Sequence, residues 1–399
     1  MKQIYCDVLI VGSGLTGIVA AYALSLLKLN IIIVDQKKIF SQDFVLKKTF
    51  NEDTRTTAVA EGSKEFLEKI NLWKGLSKFA EPIKMIKVID RKPSNTIEFV
   101  NSSESKNLGY IVQNNKFSLS IINKIIKRKN VKIIDRAKLK KIDYLSDKII
   151  CKFNNFKIAA KLTVASDGKN SSARLINNTK FYKKNYKENA VVVNFEHSKN
   201  HNNCAYEFFY ENGPLAILPA QKNLNYQSSL IWTNKKSFLE NLINMDEKTF
   251  KTIIEEKIFK SVGKIIKIKS KQIFPLSSHI NYKFYENKLV YIGDAAHSVH
   301  PIAGQGWNLG LRDVKKLFYL VKEYKDLGMD IGSIDFCKRY NQECFYDAYR
   351  LFQITDKLNS LFMTNNIILK GIRTFGLDFI QGKTELKKKI SNFAMGLNL

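Results

Sequence analysis

The segment YCDVLIVGSGLTGIVAAYALSLLKLNIIIVDQ, from Tyr5 to Gln36, decides the fold. It opens with an apolar run of strand length, Tyr5–Val11, followed by three closely spaced glycines and a stretch of strong helix formers. A second apolar run ends at Asp35, 18 residues after the third glycine. This order of strand, turn, helix and strand predicts an α/β sheet with a dinucleotide-binding turn.

The glycines and the acid of this segment have separate expected roles. Gly12 permits the tight turn, Gly14 lets a pyrophosphate approach the backbone, and Gly17 lets the helix pack closely on the strand. The phosphates would lie at the N-terminus of the helix, where free N–H groups and the helix dipole favour anions. Asp35 would bind the hydroxyls of the adenosine ribose.

Two further loops carry residues that suit a ligand. The apolar run KLTVA leads into Asp167 and Gly168, and the run KLVYI leads into GDAAHSVHPIAGQGWNLG, residues 293–310. Asp294 can accept hydrogen bonds from a polyol chain, and Gly304, Gly306 and Gly310 would let the backbone run close to a flat ring. The next helix would direct its positive end at that ring, so the three loops together predict a flavin site.

The histidines of the third loop raise the question of a metal. His297 and His300 have a spacing that can chelate a metal on a helix, but Pro301 and several glycines follow, and no cluster of carboxylates or cysteines accompanies them. We therefore predict no metal, and we expect both histidines to form structural hydrogen bonds. A P-loop motif, GxxxxGK[ST], is also absent from the sequence.

The chain alternates between two kinds of pattern. Residues 176–274 are rich in short strand patterns with aromatic residues, which predicts a second sheet inserted between parts of the first domain. We expect a discontinuous FAD-binding domain of residues 1–83, 105–175 and 275–335, a substrate domain of residues 84–104 and 176–274, and a helical region over residues 336–399. Between Asp35 and the strand patterns that begin at Lys84, Thr56 or Thr57 is expected to cap a helix.

The net charge of +28 is extreme for 399 residues. Such a field favours nucleic acid, acidic lipid or phosphorylated ligands, although abundant Lys, Asn and Ile together favour a compositional bias that fills solvated positions. Lys is scattered, and a nucleic-acid-binding protein would leave three cofactor motifs unexplained, so we expect no nucleic-acid partner. An odd number of Cys without CxxC, no signal-peptide pattern and no long uncharged apolar run predict a cytoplasmic protein.

The motifs GSGLTG, ASDG and GDAAHSVHPIAGQGWNLGLRD together resemble those of the class A FAD-dependent aromatic hydroxylases, and the third resembles the ubiquinone-biosynthesis branch. The similarity extends to LGYIVQNN, GPLAILPA and parts of the C-terminal region, and therefore spans nearly the whole chain. It implies an α/β fold like that of p-hydroxybenzoate hydroxylase, in which a Rossmann-type FAD domain is interleaved with a β-sheet substrate domain and followed by helices.

The resemblance also implies roles for individual residues. It places Arg55 near the flavin, Gln113 near the adenosine ribose, and Asp167 and Gly168 near both FAD and NAD(P)H. The remaining cofactor positions that it implies are Gly12, Gly14, Gly17 and Asp35 for the ADP half, Gly293 and Asp294 for the ribityl chain, and Pro301, Gly304, Gln305, Gly306 and Asn308 around the isoalloxazine ring. No residue is assigned a certain catalytic role. Trp307 departs from the usual Leu of the family, Ser298 from a frequent Thr and Asp35 from the commoner Glu, and Trp307 could reshape the ring edge.

The activity implied by the resemblance is that of a monooxygenase in ubiquinone biosynthesis. NAD(P)H reduces FAD, O2 gives a C4a-hydroperoxide, and the ring of a polyprenylated phenol is hydroxylated in a dry site. Other proteins of the same biosynthesis are expected partners. The amphipathic segment of residues 357–380 would suit either the inner face of the cytoplasmic membrane or packing on the protein. The alternative is a flavin-dependent reductase or oxidase acting on an isoprenoid or another apolar substrate.

Overall fold

The N-terminal unit forms as predicted in the computed structural model, which describes residues 2–38, 55–92, 94–101, 107–362 and 382–397. It consists of β1 (Lys2–Val11), α1 (Leu15–Ser25) and β2 (Ile31–Val34). The two strands are parallel, with Val8 opposite Ile31. The last four residues of β1 and all of β2 are buried, as expected for continuous apolar strands that are covered on both faces.

The first sheet has eight strands and draws them from distant parts of the chain. Besides β1 and β2 it contains β8 (Val131–Ile134), β9 (Lys141–Tyr144), β10 (Ile149–Lys152), β11 (Phe156–Ala165), β17 (Tyr285–Glu286) and β18 (Leu289–Tyr291). Its main path is β17–β18–β11–β1–β2–β8, and β10 and β9 branch from β11. The consecutive strands β18, β11, β1, β2 and β8 are all parallel.

The second sheet also has eight strands and is antiparallel except for one pair. Its strands are β5 (Met85–Asp90), β6 (Thr96–Val100), β12 (Phe181–His197), β13 (Cys204–Tyr210), β14 (Gly213–Pro219), β15 (Gln227–Lys235), β16 (Ile265–Asn281) and β19 (His297–Ser298). The order is β19–β16–β12–β15–β14–β13–β5–β6, and β13 and β5 are the parallel pair. Strand β16 continues beyond residue 274, where the expected domain boundary falls.

A small third sheet lies between these units in the chain and corrects one expectation. It contains β3 (Thr56–Ala60), β4 (Glu81–Ile83) and β7 (Gly109–Gln113), with β7 in the centre. Thr56 and Thr57 therefore do not cap a helix, and that expectation is wrong. β-Branched residues suit the strand they form against β7, and the Thr57 hydroxyl donates a hydrogen bond to Asn114 Oδ1 at 2.6 Å.

Helices cover the sheets and dominate the C-terminal part. They are α2 (Glu61–Lys69), α3 (Trp73–Leu76), α4 (Asn114–Ile125), α5 (Ser172–Ile176), α6 (Lys236–Asn244), α7 (Glu247–Lys257), α8 (Gly306–Asp326), α9 (Ile334–Phe362) and α10 (Thr384–Ala394). Helices α6 and α7 contribute Leu239 and Phe250 to the core on one face of the second sheet. Among the helices described, none is long and apolar enough to span a membrane. Of the predicted amphipathic segment, residues 363–380 lie outside the described residues.

The predicted fold class is confirmed. A mostly parallel sheet covered by helices, an interleaved antiparallel sheet and a helical C-terminal part are all present. Residues 181–281 supply strands β12 to β16 of the second sheet, after which β17 and β18 join the first sheet and β19 joins the second. Segments of the two sheets therefore alternate along the chain.

Candidate functional site

The predicted ligand residues meet at one edge of the first sheet. Strands β18, β11, β1 and β2 are neighbours and parallel, so their carboxyl ends share that edge. Ligands of open α/β sheets bind at this edge. The residues that follow these four strands are, in sheet order, Gly293 and Asp294, Asp167 and Gly168, Gly12, and Asp35.

The glycine turn after β1 has two crowded positions and one open position. Gly12 has a φ of +106°, and a Cβ atom on it would lie 2.4 Å from Ser166 O. A Cβ atom on Gly17 would lie 2.1 Å from Gly12 O. A Cβ atom on Gly14 would meet no described atom within 4 Å. Gly12 and Gly17 therefore serve the packing of the turn, whereas the space beside Gly14 is open to a ligand.

Helix α1 begins beside that open space with an N-terminus suited to an anion. Gly14 occupies the N-cap position, no side chain of the described residues caps the helix, and its first turn contains no acid. Its first N–H groups therefore remain available, and the helix dipole favours negative charge there. The turn and the helix together can hold a diphosphate.

Asp35 is held at the mouth of the same turn. Its Oδ2 accepts hydrogen bonds from Ser13 N and Ser13 Oγ, both at 2.7 Å, and its Oδ1 accepts one from Lys37 N at 2.8 Å. The sequence reasoning missed Ser13, although its place between two motif glycines was a usable signal. The contact ties the end of β2 to the glycine turn.

Ser166 is a second residue that the sequence reasoning missed. Its Oγ donates to Gly12 O at 2.8 Å, and its backbone N donates to Val11 O at 2.7 Å. The motif ASDG predicts a ligand role only for its Asp and Gly, but its buried serine joins β11 to the glycine turn.

Asp167 has one carboxylate oxygen with a partner and one without. Its Oδ2 accepts a hydrogen bond from Ala173 N at 3.1 Å, whereas Oδ1 is buried and has no partner among the described residues. Burial raises the pKa of Asp167. Gly168 has a φ of +81° and open space on its Cβ side. A buried acceptor beside such space is completed by a ligand that donates a hydrogen bond.

Asp294 also presents a free carboxylate. No described residue donates a hydrogen bond to its side chain, and the residue is exposed. Burial by the surrounding chain nevertheless raises the pKa of Asp294, and the charges of His297, Lys169 and Arg55 oppose that rise. The carboxylate therefore faces a recess in the protein rather than open solvent.

A buried pair of side chains fixes the turn that carries Asp294. Asp313 Oδ2, on α8, accepts a hydrogen bond from Gly293 N at 2.9 Å and lies 2.7 Å from His297 Nε2. His297 therefore has the hydrogen-bonding role that the sequence predicts. Gly310 was expected to lie along a ring, but a Cβ atom there would lie 3.1 Å from Gly293 Cα, so this glycine lets α8 pack on the turn.

The loop from Pro301 to Gly306 is supported from behind by Asn308. The Asn308 Oδ1 accepts hydrogen bonds from Ala60 N at 2.9 Å and Ser63 Oγ at 2.8 Å. Its Nδ2 donates to Gly304 O at 3.2 Å. The side chain is thus occupied by contacts within the protein, and Asn308 supports the loop instead of offering its amide to a ligand.

The same loop has a conformation that depends on glycine and ends at an open helix terminus. Gly304 has a φ of +60°, and Gln305 is nearly buried. Helix α8 starts at Gly306 without a side-chain cap from the described residues and without an acid in its first turn. Its positive end can therefore stabilise negative charge on a group held against Pro301–Gly306.

Trp307 and His300 differ from what the sequence suggested. The Trp307 ring packs edge-on against Phe117 of α4, with centroids 4.9 Å apart, in the core of the first sheet. His300 is buried against Tyr186, but neither of its ring nitrogens has a hydrogen-bond partner among the described residues. The predicted hydrogen-bonding role of His300 is therefore not seen there.

Arg55 and Gln113 are brought together by the third sheet. Thr56 lies opposite Gln113, and Asn114 N donates to Arg55 O at 2.9 Å. The Arg55 guanidinium lies 5.7 Å from the centroid of the Phe274 ring of β16. Its positive charge also opposes the rise that burial causes in the pKa of Asp294. The Gln113 Nε2 donates to Gln221 Oε1 at 3.3 Å. Arg55 thus lies between β16 and the turn that carries Asp294, and Gln113 lies beside the residues that follow β14.

The arrangement fits a flavin dinucleotide. It offers open space and free N–H groups at Gly14, an unpartnered acceptor at Asp167, a free carboxylate at Asp294, and a second positive helix end beside the glycine-containing loop. Within the described residues, no group of three or more His, Cys, Asp or Glu side chains is arranged to hold a metal ion.

The fold and the site together define an FAD-binding α/β protein with the p-hydroxybenzoate-hydroxylase type of fold. Among solved structures, p-nitrophenol 4-monooxygenase PnpA from Pseudomonas putida superposes with a TM-score of 0.78 at 15% identity over 100% of both chains. HpxO from Klebsiella pneumoniae, complexed with FAD and uric acid, superposes with a TM-score of 0.73 at 12% identity over 99% of this chain and 96% of its own.

The chain belongs to the FAD binding domain family, whose sequence model matches residues 5–328, and its cofactor is FAD. Ubiquinone hydroxylase UbiL of Rhodospirillum rubrum is 27% identical over 391 residues, covering 98% of this chain and 89% of the relative. The human ubiquinone biosynthesis monooxygenase COQ6 is 26% identical over 456 residues, covering 97% and 92%. The predicted resemblance to the class A FAD-dependent aromatic hydroxylases is confirmed.

Proposed function

We propose that the protein hydroxylates the aromatic ring of a polyprenylated phenol in ubiquinone biosynthesis. It is an FAD-dependent monooxygenase that consumes NAD(P)H and O2. The observation that carries this proposal is that the three motifs meet at one edge of the first sheet. Open space beside Gly14, two helix N-termini without a side-chain cap and carboxylate oxygens without a hydrogen-bond donor among the described residues are available to a ligand there. Relatives named for this activity cover nearly the whole chain, which supports a hydroxylase over a reductase or oxidase.

The ADP half of FAD would bind at the glycine turn. Gly14 and the N-terminus of α1 hold the diphosphate, while Gly12 and Gly17 keep the turn in shape. Asp35 binds the adenosine ribose and exchanges its contacts with Ser13 for ribose hydroxyls.

The flavin half would extend toward the second sheet. Gly293 and Asp294 hold the ribityl chain, and Arg55 lies close to the ring. Gln113 lies near the adenosine ribose, and Asp167 with Gly168 contacts FAD and NAD(P)H. The residues that border the isoalloxazine ring are Pro301, Gly304, Gln305, Gly306 and Asn308, the last through its support of the loop.

The protein contributes position, charge and exclusion of water. Bound FAD, once reduced, supplies the activation of O2 for transfer of one oxygen atom to the substrate ring. The positive end of α8 stabilises negative charge on the reduced ring. The second sheet covers the ring side of the site and keeps bulk water away from the reacting atoms.

Different parts of the chain would bind the cofactor and the substrate. Residues 1–83, 105–175 and 275–335 form the FAD-binding part, and residues 84–104 and 176–274 form the substrate part. The distribution of strands between the two large sheets supports this division, although β16 and β19 link the second sheet directly to the cofactor loop. Of the helical region expected over residues 336–399, the described residues form most of α9 and all of α10.

The substrate suggests a place for the enzyme in the cell. A polyprenylated phenol resides in a membrane, and the net charge of +28 suits an anionic surface. We therefore include in the proposal a peripheral position on the inner face of the cytoplasmic membrane and association with other proteins of ubiquinone biosynthesis.

The decisive experiment follows oxygen from O2 into the ring. The purified holoenzyme is given NADH or NADPH, ¹⁸O2 and a short-chain prenylated phenol such as 2-geranylphenol, and the product is analysed by mass spectrometry. We expect one ¹⁸O atom in the ring per NAD(P)H consumed, and faster bleaching of the flavin when the phenol is present. Bleaching without incorporation of ¹⁸O into the phenol would instead establish the reductase or oxidase alternative.

A further inference from the structure

The second sheet presents two faces of different character. Along β13, Phe208 belongs to the core cluster that α6 and α7 cover, so the preceding residue, Glu207, points to the opposite face. The same alternation puts Phe209 on the far side from Phe208. Glu207 is therefore an acid on the face of the sheet that α6 and α7 leave uncovered.

Glu207 stands in a row of apolar residues across that face. The strand pairings continue from Glu207 through β14, β15 and β12 on one side and through β5 and β6 on the other. The residues in register are Ala216, Ile231 and Val192 in the first direction and Val88 and Ile97 in the second. An acid flanked by apolar side chains on both neighbouring strands has no structural use for its charge in the sheet.

The row reaches the loop that is proposed to border the flavin ring. Val88, directly opposite Glu207 on β5, packs against a cluster of Phe209, Phe362 and Ile302. Ile302 lies within the loop between Pro301 and Gly304. The face that carries Glu207 is therefore the face that looks toward the ring loop.

The Glu207 carboxyl group is without a partner among the described residues. No described residue donates a hydrogen bond to it or forms an ion pair with it, and the side chain is only partly exposed. Burial raises the pKa of Glu207 to about 8, so the group is a stronger base than an exposed glutamate once it is ionised. On the neighbouring strands the other acid of this face is Asp90, two residues beyond Val88, and Arg91 lies 3.9 Å from it.

We propose that Glu207 is a catalytic residue that accepts the phenolic proton of the substrate. This inference rests on the proposed function. Glu207 acts in its ionised form, whose population grows as the pH rises toward and beyond 8. The phenol O–H bond breaks, the proton passes to a carboxylate oxygen of Glu207, and the bonding pair stays on the phenol oxygen. The resulting phenolate pushes electron density into the ring and makes its carbon a better nucleophile toward the activated oxygen. The apolar neighbours hold the ring and the first part of the prenyl chain.

The test compares Glu207→Gln with the matched control Glu98→Gln, a glutamate of β6 in the same sheet that pairs with Lys87. Both holoenzymes are assayed for FAD binding, for flavin reduction by NAD(P)H, and for ring oxygenation and H2O2 release with 2-geranylphenol. We expect Glu207→Gln to bind and reduce FAD normally but to oxygenate the ring about 100-fold more slowly, with H2O2 formed instead. Glu98→Gln should match the wild type.

A more acidic substrate separates proton acceptance from a merely structural role. Ring-fluorinated 2-geranylphenol loses its proton more readily, so it should recover about ten-fold of the lost rate in Glu207→Gln and change the wild type little. Glu207→Asp, which keeps a carboxylate, should retain more activity than the amide and serves as the second variant if the amide does not fold.

Two results would overturn the inference while leaving the proposed function standing. One is a Glu207→Gln enzyme that oxygenates 2-geranylphenol at the wild-type rate. The other is an equal loss with the fluorinated and unfluorinated phenols, which would make Glu207 a structural residue. Failure of the wild type to place ¹⁸O in either phenol would instead remove the proposed function, and this inference with it.

Discussion

At the scale of the residue, the role of each motif glycine is decided by what surrounds its missing side chain. A Cβ atom on Gly12 or Gly17 would lie 2.4 or 2.1 Å from a backbone oxygen, whereas one on Gly14 would meet no described atom within 4 Å. The three glycines look alike in the sequence, because spacing alone does not tell a crowded position from an open one. The structure distinguishes the two crowded glycines from the open one.

Gly14→Val should therefore remove FAD without unfolding the protein. The backbone at Gly14 has a φ of −60°, which valine adopts freely, and its side chain would enter the space proposed for the diphosphate. We expect a loss of FAD affinity of about 100-fold or more, measured by quenching of flavin fluorescence, and a thermal midpoint of the apoprotein close to that of the wild type.

Gly12→Val is the matched control for this variant. It requires a φ of +106° and collides with Ser166, so it should fail to give a folded protein. A yellow Gly14→Val protein with full FAD occupancy would show that the diphosphate lies elsewhere.

Asp294→Asn should strengthen the empty protein and weaken the loaded one. Burial raises the pKa of Asp294 in the folded state, so ionisation opposes folding above the unfolded pKa of about 3.9. The amide avoids that penalty, and the apoprotein should melt a few degrees higher at pH 7. This gain should shrink as the pH falls through the folded pKa toward the unfolded one. FAD affinity should fall by about 10- to 100-fold through loss of a charged hydrogen-bond acceptor.

The measurement pairs melting curves of the apoproteins between pH 4 and pH 8 with FAD titrations. Asp147→Asn, at an exposed turn, is the control and should change FAD affinity in neither direction. A lower melting temperature of the Asp294→Asn apoprotein at pH 7 would mean that the carboxylate has stabilising partners before FAD arrives.

At the scale of the element, helix α8 and the turn after β18 form one unit through Asp313. The motif glycines and Asp294 could be predicted from the sequence because each follows an apolar strand at a set distance. Asp313 could not, since its role depends on how α8 lies over the turn, and that is fixed by packing between Gly310 and Gly293. Ser13 and Ser166 were missed for the same reason: their partners are distant in the sequence.

Asp313→Ala should destabilise the protein from within this unit. It leaves Gly293 N and His297 Nε2 buried without their acceptor, at a cost of about 1–3 kcal/mol for each group. Urea unfolding of the apoprotein should show this loss, and FAD affinity should fall because the turn carrying Asp294 loosens. Asp326→Asn, at the exposed end of the same helix, is the control and should unfold like the wild type.

Strand β3 shows where local pattern misled the prediction. Thr56 and Thr57 precede a helical pattern, and threonine is a good N-cap residue, so a cap was a reasonable interpretation. The pairing with β7, in which Thr56 lies opposite Gln113 and Thr57 opposite Val112, joins residues more than 50 positions apart. It was invisible in a single sequence and takes these threonines into a sheet. Helix α2 then begins at Glu61, with Ala60 before it.

At the scale of the whole molecule, the parallel sheet and its cofactor edge were predictable, but the face of the second sheet was not. The order of strands, glycines and acids along the chain was enough to predict the parallel sheet and the edge at which its loops meet. The position of Glu207 opposite Val88 requires the parallel pairing of β13 with β5, which joins segments separated by more than a hundred residues. No periodicity in the sequence records that pairing.

The charge of +28 also belongs to this scale. If it serves the proposed membrane position, the holoenzyme should cosediment with vesicles that contain anionic lipid and not with neutral vesicles. Binding should be lost near 1 M salt, where the Debye length falls to about 3 Å. Equal sedimentation with both kinds of vesicle would identify the charge as a bias of composition.

The long ribbon of β12 and β16 gives the molecule a mechanical property. Each strand has 17 residues. One end of the pair lies beside β15 in the second sheet, and at the other end His279 and Ile280 pair with Ser298 and His297 of β19. At about 3.3 Å per residue, this two-stranded ribbon is about 55 Å long. Its strand pairing is irregular between Asn185 and Asn189 and again near its outer end. A displacement of the second sheet by the proposed substrate would therefore pass along paired backbone toward the loop that is proposed to border the flavin. It would meet one break in the pairing on the way, between Asn185 and Asn189, and the ribbon can bend there.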